Sequence, residues 1–139
     1  MMMMIRPTRS ALWAAALMLS IGIVLFGNVA TDLILGDSIW SGTLGSIDRF
    51  DVALLHLFFT GLPFFVLAAK DDRRLAMWVT AVVLTVAFWN YFNWQIWQDS
   101  LIDFAGGANI GLGLVMIAAP FFILVILKLV SMISRASVR

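Results

Sequence analysis

The sequence predicts an all-α fold: a polytopic integral membrane protein whose four transmembrane helices form an antiparallel bundle with both termini cytoplasmic. Three observations carry that prediction. Four long apolar stretches recur along the chain, each near or above the roughly 20 residues a helix needs to cross a bilayer. The short loops between them alternate in the sign of their charge. Of 139 residues, 63% are hydrophobic and 12% charged, with a strongly positive mean hydropathy, a composition that fits no water-soluble domain. With about 90 residues inside the bilayer, too little chain remains for a separate soluble module, so residues 1–139 are expected to form one transmembrane domain.

Helix one is expected over 11–35. Arg6 and Arg9 before it resemble the positive n-region of a signal peptide, and 11–27 resembles an h-region. The apolar run is longer than a typical h-region and no small-x-small site follows Gly27, so it is read as a retained span. The loop 36–49 is rich in Gly and Ser but carries Ile39 and Trp40, which places it on the membrane surface as a cover for the bundle. Helix two follows over 50–69. The loop 70–74 then permits only a tight hairpin to helix three, 75–97, with Asp71 or Asp72 as the cap. Ser100 and Asp103 stand at capping-box spacing, so helix four is expected over 104–130, beginning near Leu101. The basic remainder, 131–139, reads as a tail on anionic headgroups.

Basic residues set the orientation. Eight of the nine, Arg6, Arg9, Lys70, Arg73, Arg74, Lys128, Arg135 and Arg139, fall on one side. Only Arg49 lies opposite, with Asp32, Asp37, Asp48, Asp51, Asp99 and Asp103. Trp13 and Trp78 fall at inner ends and Trp40, Trp94 and Trp97 at outer ends, where amphipathic rings favour the headgroup level; Trp89 is the exception. A bacterial inner, that is cytoplasmic, membrane is the expected location.

Polar residues inside the spans are stratified. At about 1.5 Å per residue, Asn28, His56, Asn90, Asn93 and Asn109 all fall about 6 to 10 Å below the outer boundary, with Asp32 slightly shallower. Asn28 with Asp32, His56 with Thr60 and Asn109 with Gly113 are four apart, and Asn90 with Asn93 three apart, so each pair is expected to share a face turned into the bundle. The inner half carries only Ser20, Thr80 and Thr85, whose hydroxyls can bond their own helix backbone. A polar route across the membrane is missing, which disfavours a channel and leaves an outward-facing pocket or an interhelical network.

The segment from Trp89 to Trp97 surrounds helix three with rings and amides. Anchoring at the interface explains Trp94 and Trp97, whereas Trp89 and the asparagines need a protein neighbour or a bound molecule such as a flat apolar ligand. Pro63 and Pro120 each remove a backbone donor near mid-membrane, where a kink or freed carbonyl is expected. The strings Leu62-Pro63-Phe64-Phe65-Val66-Leu67 and Ala119-Pro120-Phe121-Phe122-Ile123-Leu124 are alike enough to suggest a duplicated hairpin. Ala16-x-x-x-Ser20 and Gly107-x-x-x-Gly111 allow close helix approach.

No catalytic spacing is present, so an enzyme is not the favoured reading. As the single histidine, His56 cannot form a bis-histidine haem site within one chain; no metal motif is present, and no cofactor is assigned. Two function classes remain. In the first, the chain is a subunit or homo-oligomeric component of a membrane assembly, and its polar layer fixes helix register. In the second, a carrier or enzyme binds a small or lipid-soluble ligand among Asn28, Asp32, His56, Thr60, Trp89, Asn90, Asn93 and Asn109. If Asp32 is adjacent to His56, its carboxylate would favour a charged imidazole. The expected partners are the lipid bilayer, other membrane subunits or a second copy, and a lipid-soluble small molecule; nucleic acid is not among them.

Overall fold

The computed structural model describes residues 7–36, 50–101 and 110–136, and these form four helices with no strand among the described residues. They are α1 (Arg9–Leu35), α2 (Phe50–Ala69), α3 (Leu75–Leu101) and α4 (Ile110–Ala136). Three of them hold segments long and apolar enough to cross a membrane: Arg9–Leu35, Leu75–Asp99 and Gly111–Ser134; the described apolar part of α2, Leu54–Ala69, is shorter. Much of the exterior is apolar, including Met18, Phe26, Phe58, Phe122 and Ile133. Water would penalise so large an apolar surface, while hydrocarbon accepts it, and that contrast marks an integral membrane protein.

Each helix end has a local cause. The Thr8 hydroxyl accepts the Ala11 amide at 3.2 Å, so α1 starts two residues before the apolar run. Its other end closes on Gly36, whose left-handed backbone (φ 73°) is open to glycine without steric cost. α2 ends in a Schellman motif: the Asp72 amide returns to the Leu67 carbonyl at 3.0 Å and the Asp71 amide to Ala68 at 3.1 Å. Asp71 occupies the left-handed position (φ 52°) where glycine is usual. Asp72 Oδ1 accepts the Arg74 amide at 3.1 Å, a bond within the turn that precedes α3 and not a cap on the helix itself, while the Trp78 indole donates to the Asp72 carbonyl at 2.7 Å.

Two expected boundaries need correction. α3 continues four residues past Trp97, so Leu101 belongs to α3 and not to the start of helix four. α4 runs on to Ala136, so most of the expected tail is helix. Neither 98–101 nor 131–136 contains Gly or Pro, and polar side chains alone do not stop a helix. The expected surface loop 37–49, the Asp103 cap, and Gly106 and Gly107 lie outside the described residues.

α1 packs most extensively on α2 and then on α3; α4 packs on α3 and α2; α2 and α3 meet along a narrower strip. Among the described residues the backbones of α1 and α4 do not come close to one another. Contacts between α1 and α2 run in opposite residue order, from Asn28 beside His56 to Trp13 stacked on Phe65 with centroids 6.3 Å apart. Midway, a Cβ on Gly61 would crowd the Ser20 hydroxyl, so the small residues Ala16, Ser20 and Gly61 form a close α1–α2 seam.

The inner-half hydroxyls do bond their own helices: Ser20 to Ala16 O at 2.6 Å, Thr80 to Ala76 O at 2.8 Å and Thr85 to Ala81 O at 2.7 Å. Both prolines sit inside continuous helices, and the turns they interrupt, through Phe59 and Met116, line one small void between α2, α3 and α4. The two Pro-Phe-Phe strings occupy unlike surroundings. Phe64 is 0% exposed, whereas Phe121 is 54% and Phe122 69% exposed, so the suggested duplication has no counterpart in packing.

Candidate functional site

The polar level is built from α1, α2 and α3, with Trp89 at its centre. Trp89 is wholly buried, and its ring fills the space where a Cβ on Gly27 would stand. Its indole N–H donates to the Thr60 hydroxyl at 3.1 Å. His56 and Phe92 meet it edge to face, with centroids 5.4 and 5.5 Å away, and Phe88 closes another side at 6.4 Å. The residue that lacked an interfacial explanation therefore has protein neighbours on several sides, and its one polar atom is satisfied.

Around that centre the polar side chains pair with one another. His56 Nδ1 lies 3.0 Å from Asn28 Oδ1, joining α2 to α1. An amide oxygen accepts only, so this contact assigns the proton to Nδ1. Asn93 joins α3 to α1 twice: its Oδ1 lies 2.7 Å from the Thr31 hydroxyl, and its Nδ2 donates to the Gly27 carbonyl at 3.4 Å. The Thr31 hydroxyl is also 2.9 Å from that carbonyl. Every buried side-chain nitrogen and oxygen among the described residues has a hydrogen-bond partner. In hydrocarbon such a closed set holds helix register, at about 0.6 kcal/mol per interhelical bond.

Of the residues singled out from sequence, Asn28, His56, Thr60, Trp89 and Asn93 are thus brought into one connected cluster. Asp32 is buried on α1 and has interactions of its own, but the side chain that meets His56 is Asn28. Asn90 departs from expectation: it is exposed, turned out of the bundle, while Asn93 three residues on is buried. Asn109 lies outside the described residues. Sequence reasoning passed over Thr31 and Gly27. The available signal was their four-residue spacing, parallel to that of Asn28 and Asp32 and displaced by one position.

His56 also borders a groove of about 550 Å³ between α2, α3 and α4, walled by Leu55, Phe92, Ile96, Met116 and Ile117, with Leu35 at the end of α1 on its edge. The groove's one carboxylate among the described residues is Asp99. Among the described residues no three His, Cys, Asp or Glu side chains converge as a metal site would need.

A helical bundle with apolar spans, joined across three helices by a satisfied polar level, defines a small integral membrane protein. No family model, curated protein or solved structure matches the chain.

Proposed function

We propose that the chain crosses the bilayer four times as an antiparallel bundle with cytoplasmic termini, and that it is a structural subunit associating with a second copy through α3. The gathering of Lys70, Arg73, Arg74 and Lys128 around one end of the bundle supports the orientation. The observation that carries the subunit reading is Asn90. Within the polar level the amides and hydroxyls are paired, yet Asn90 faces outward and has no side-chain partner among the described residues.

An amide carries both donors and an acceptor, so two copies of Asn90 related by a two-fold axis complete each other. The exposed residues Val83, Ala87, Asn90 and Trp94 recur at helical spacing, and small Ala87 permits close approach. An unpaired amide facing lipid is costly, which favours this face as the contact. Asn90→Val tests the reading. In lipid nanodiscs or mild detergent the native chain should run as an oligomer and the variant as a folded monomer. Equal masses for the two would overturn the assignment.

The groove beside His56 favours a second reading, in which a lipid-soluble compound lies along the apolar wall with a polar group toward the imidazole. Organic extraction of the purified protein tests it: a compound retained by the native chain and lost in His56→Ala would establish the ligand. An extract containing only bulk lipid would exclude it.

A further inference from the structure

At the opposite end of the bundle from His56, a cleft of about 970 Å³ opens between the end of α2, the start of α3 and the last turns of α4. Its rim carries four cations, Lys70, Arg73, Arg74 and Lys128, against two carboxylates, Asp71 and Asp72, an excess of two positive charges. The carboxylates are already engaged by the arginines. Asp71 takes a forked contact from Arg73 at 2.9 and 3.1 Å, and Asp72 Oδ2 accepts from Arg74 at 2.6 Å. The Asp72 hydrogen bond raises the Arg74 pKa further above its ordinary value, so that charge persists at any ordinary pH.

Arg74 also reaches α4, donating to Ser131 Oγ at 2.9 Å and Ser134 Oγ at 3.4 Å. The α2–α3 turn and the end of α4 are therefore held as one rim. Ser131 accepts from Arg74 and keeps its own proton to donate. Lys70 and Lys128, both exposed, have no carboxylate partner among the described residues. Below the rim the walls turn apolar through Val66, Leu67, Leu124 and Leu127.

We propose that this cleft binds the headgroup phosphate of an anionic glycerophospholipid, with Lys70, Lys128 and the Ser131 hydroxyl on the phosphate and the acyl chain against the α2–α4 wall. Two features select a lipid over a free phosphate. The positive excess sits at the end of membrane-length helices, and the apolar wall continues from it in the direction an acyl chain runs. A basic pocket between helices at headgroup depth recognises a fixed anion, whereas a zwitterionic headgroup offers it no net charge. The assignment rests on the helices spanning a bilayer and is independent of any contact through Asn90.

Native mass spectrometry of the protein in neutral detergent, titrated with phosphatidylglycerol, phosphatidylcholine or inorganic phosphate, tests the site. Phosphatidylglycerol should be retained in preference to phosphatidylcholine of the same chain length. Lys70→Gln with Lys128→Gln should weaken that retention by about fivefold per lysine, about twenty-five-fold together. Phosphatidylcholine binding should stay unchanged, and Lys70→Arg with Lys128→Arg should restore the preference. Equal retention of the two lipids, or an unchanged double variant, overturns the site. Inorganic phosphate displacing the lipid at equal concentration overturns the role of the apolar wall and with it the lipid assignment. In nanodiscs, a chain that does not incorporate overturns the spanning reading and this site together, whereas a chain that incorporates without headgroup preference overturns the site alone.

Discussion

The six-membered ring of Trp89 occupies the volume that any side chain at Gly27 would need. This contact lets α3 approach α1 closely enough for Asn93 to reach the Gly27 carbonyl. Gly27→Ala should therefore force the helices apart and destabilise the bundle by about 1 to 3 kcal/mol, the usual cost of overpacking. Thermal unfolding in detergent followed by circular dichroism measures it. An unchanged midpoint would mean that the ring moves aside without cost.

Asn28 and His56 form a direct side-chain hydrogen bond between α1 and α2. A double-mutant cycle with Asn28→Ala and His56→Ala should give a coupling of about 0.6 to 1.7 kcal/mol, the range for interhelical hydrogen bonds in membranes. Strict additivity would show that the pair contributes nothing to register.

Asp71 holds a left-handed backbone in the turn after α2 and pairs with Arg73 at the surface. The exposed ion pair contributes at most about 1 kcal/mol, less than the backbone penalty of a β-branched residue in that conformation. Asp71→Val should lower stability by about 1 to 2 kcal/mol, while Asp71→Gly should be neutral or stabilising. A glycine variant destabilised as much as the valine variant would locate the effect in the ion pair instead, since both lose the carboxylate.

The chain contains no cysteine, so single cysteines report topology without background. Thr8→Cys and Arg73→Cys should react with a membrane-impermeant maleimide only after cells are opened. Leu35→Cys and Leu101→Cys should react on intact cells. Labelling of Arg73→Cys from outside would reverse the orientation and reject the positive-inside reading.

Much of the site was legible because hydrogen-bonding side chains are rare in these spans and their depth can be counted. Asn28, His56 and Asn93, counted to one depth, link α1 to α2 and to α3, and α2 begins and ends as expected. Facing was harder to read. At about 100° per residue, Asn90 stands about 60° from Asn93. The buried arc of α3 is fixed by Phe92, Trp89 and Asn93, and Asn90 falls just beyond its edge. Hydropathy also measures the width of hydrocarbon and not the extent of helix, so the polar last turns of α3 and α4 escaped it. Gly27 shows another limit: its spacing from Thr31 marks a shared face, but its need to be glycine depends on a ring 62 positions away.

Every hydrogen bond described in the polar level is made by residues that precede position 102. During synthesis, α1, α2 and α3 can thus satisfy their buried amides and hydroxyls while the last helix is still inside the ribosome and translocon. α4, whose backbone packs on α2 and α3 among the described residues, then docks onto a preformed three-helix partner. Insertion from the N-terminus onward leaves no stage at which these polar groups must wait in lipid for the final segment.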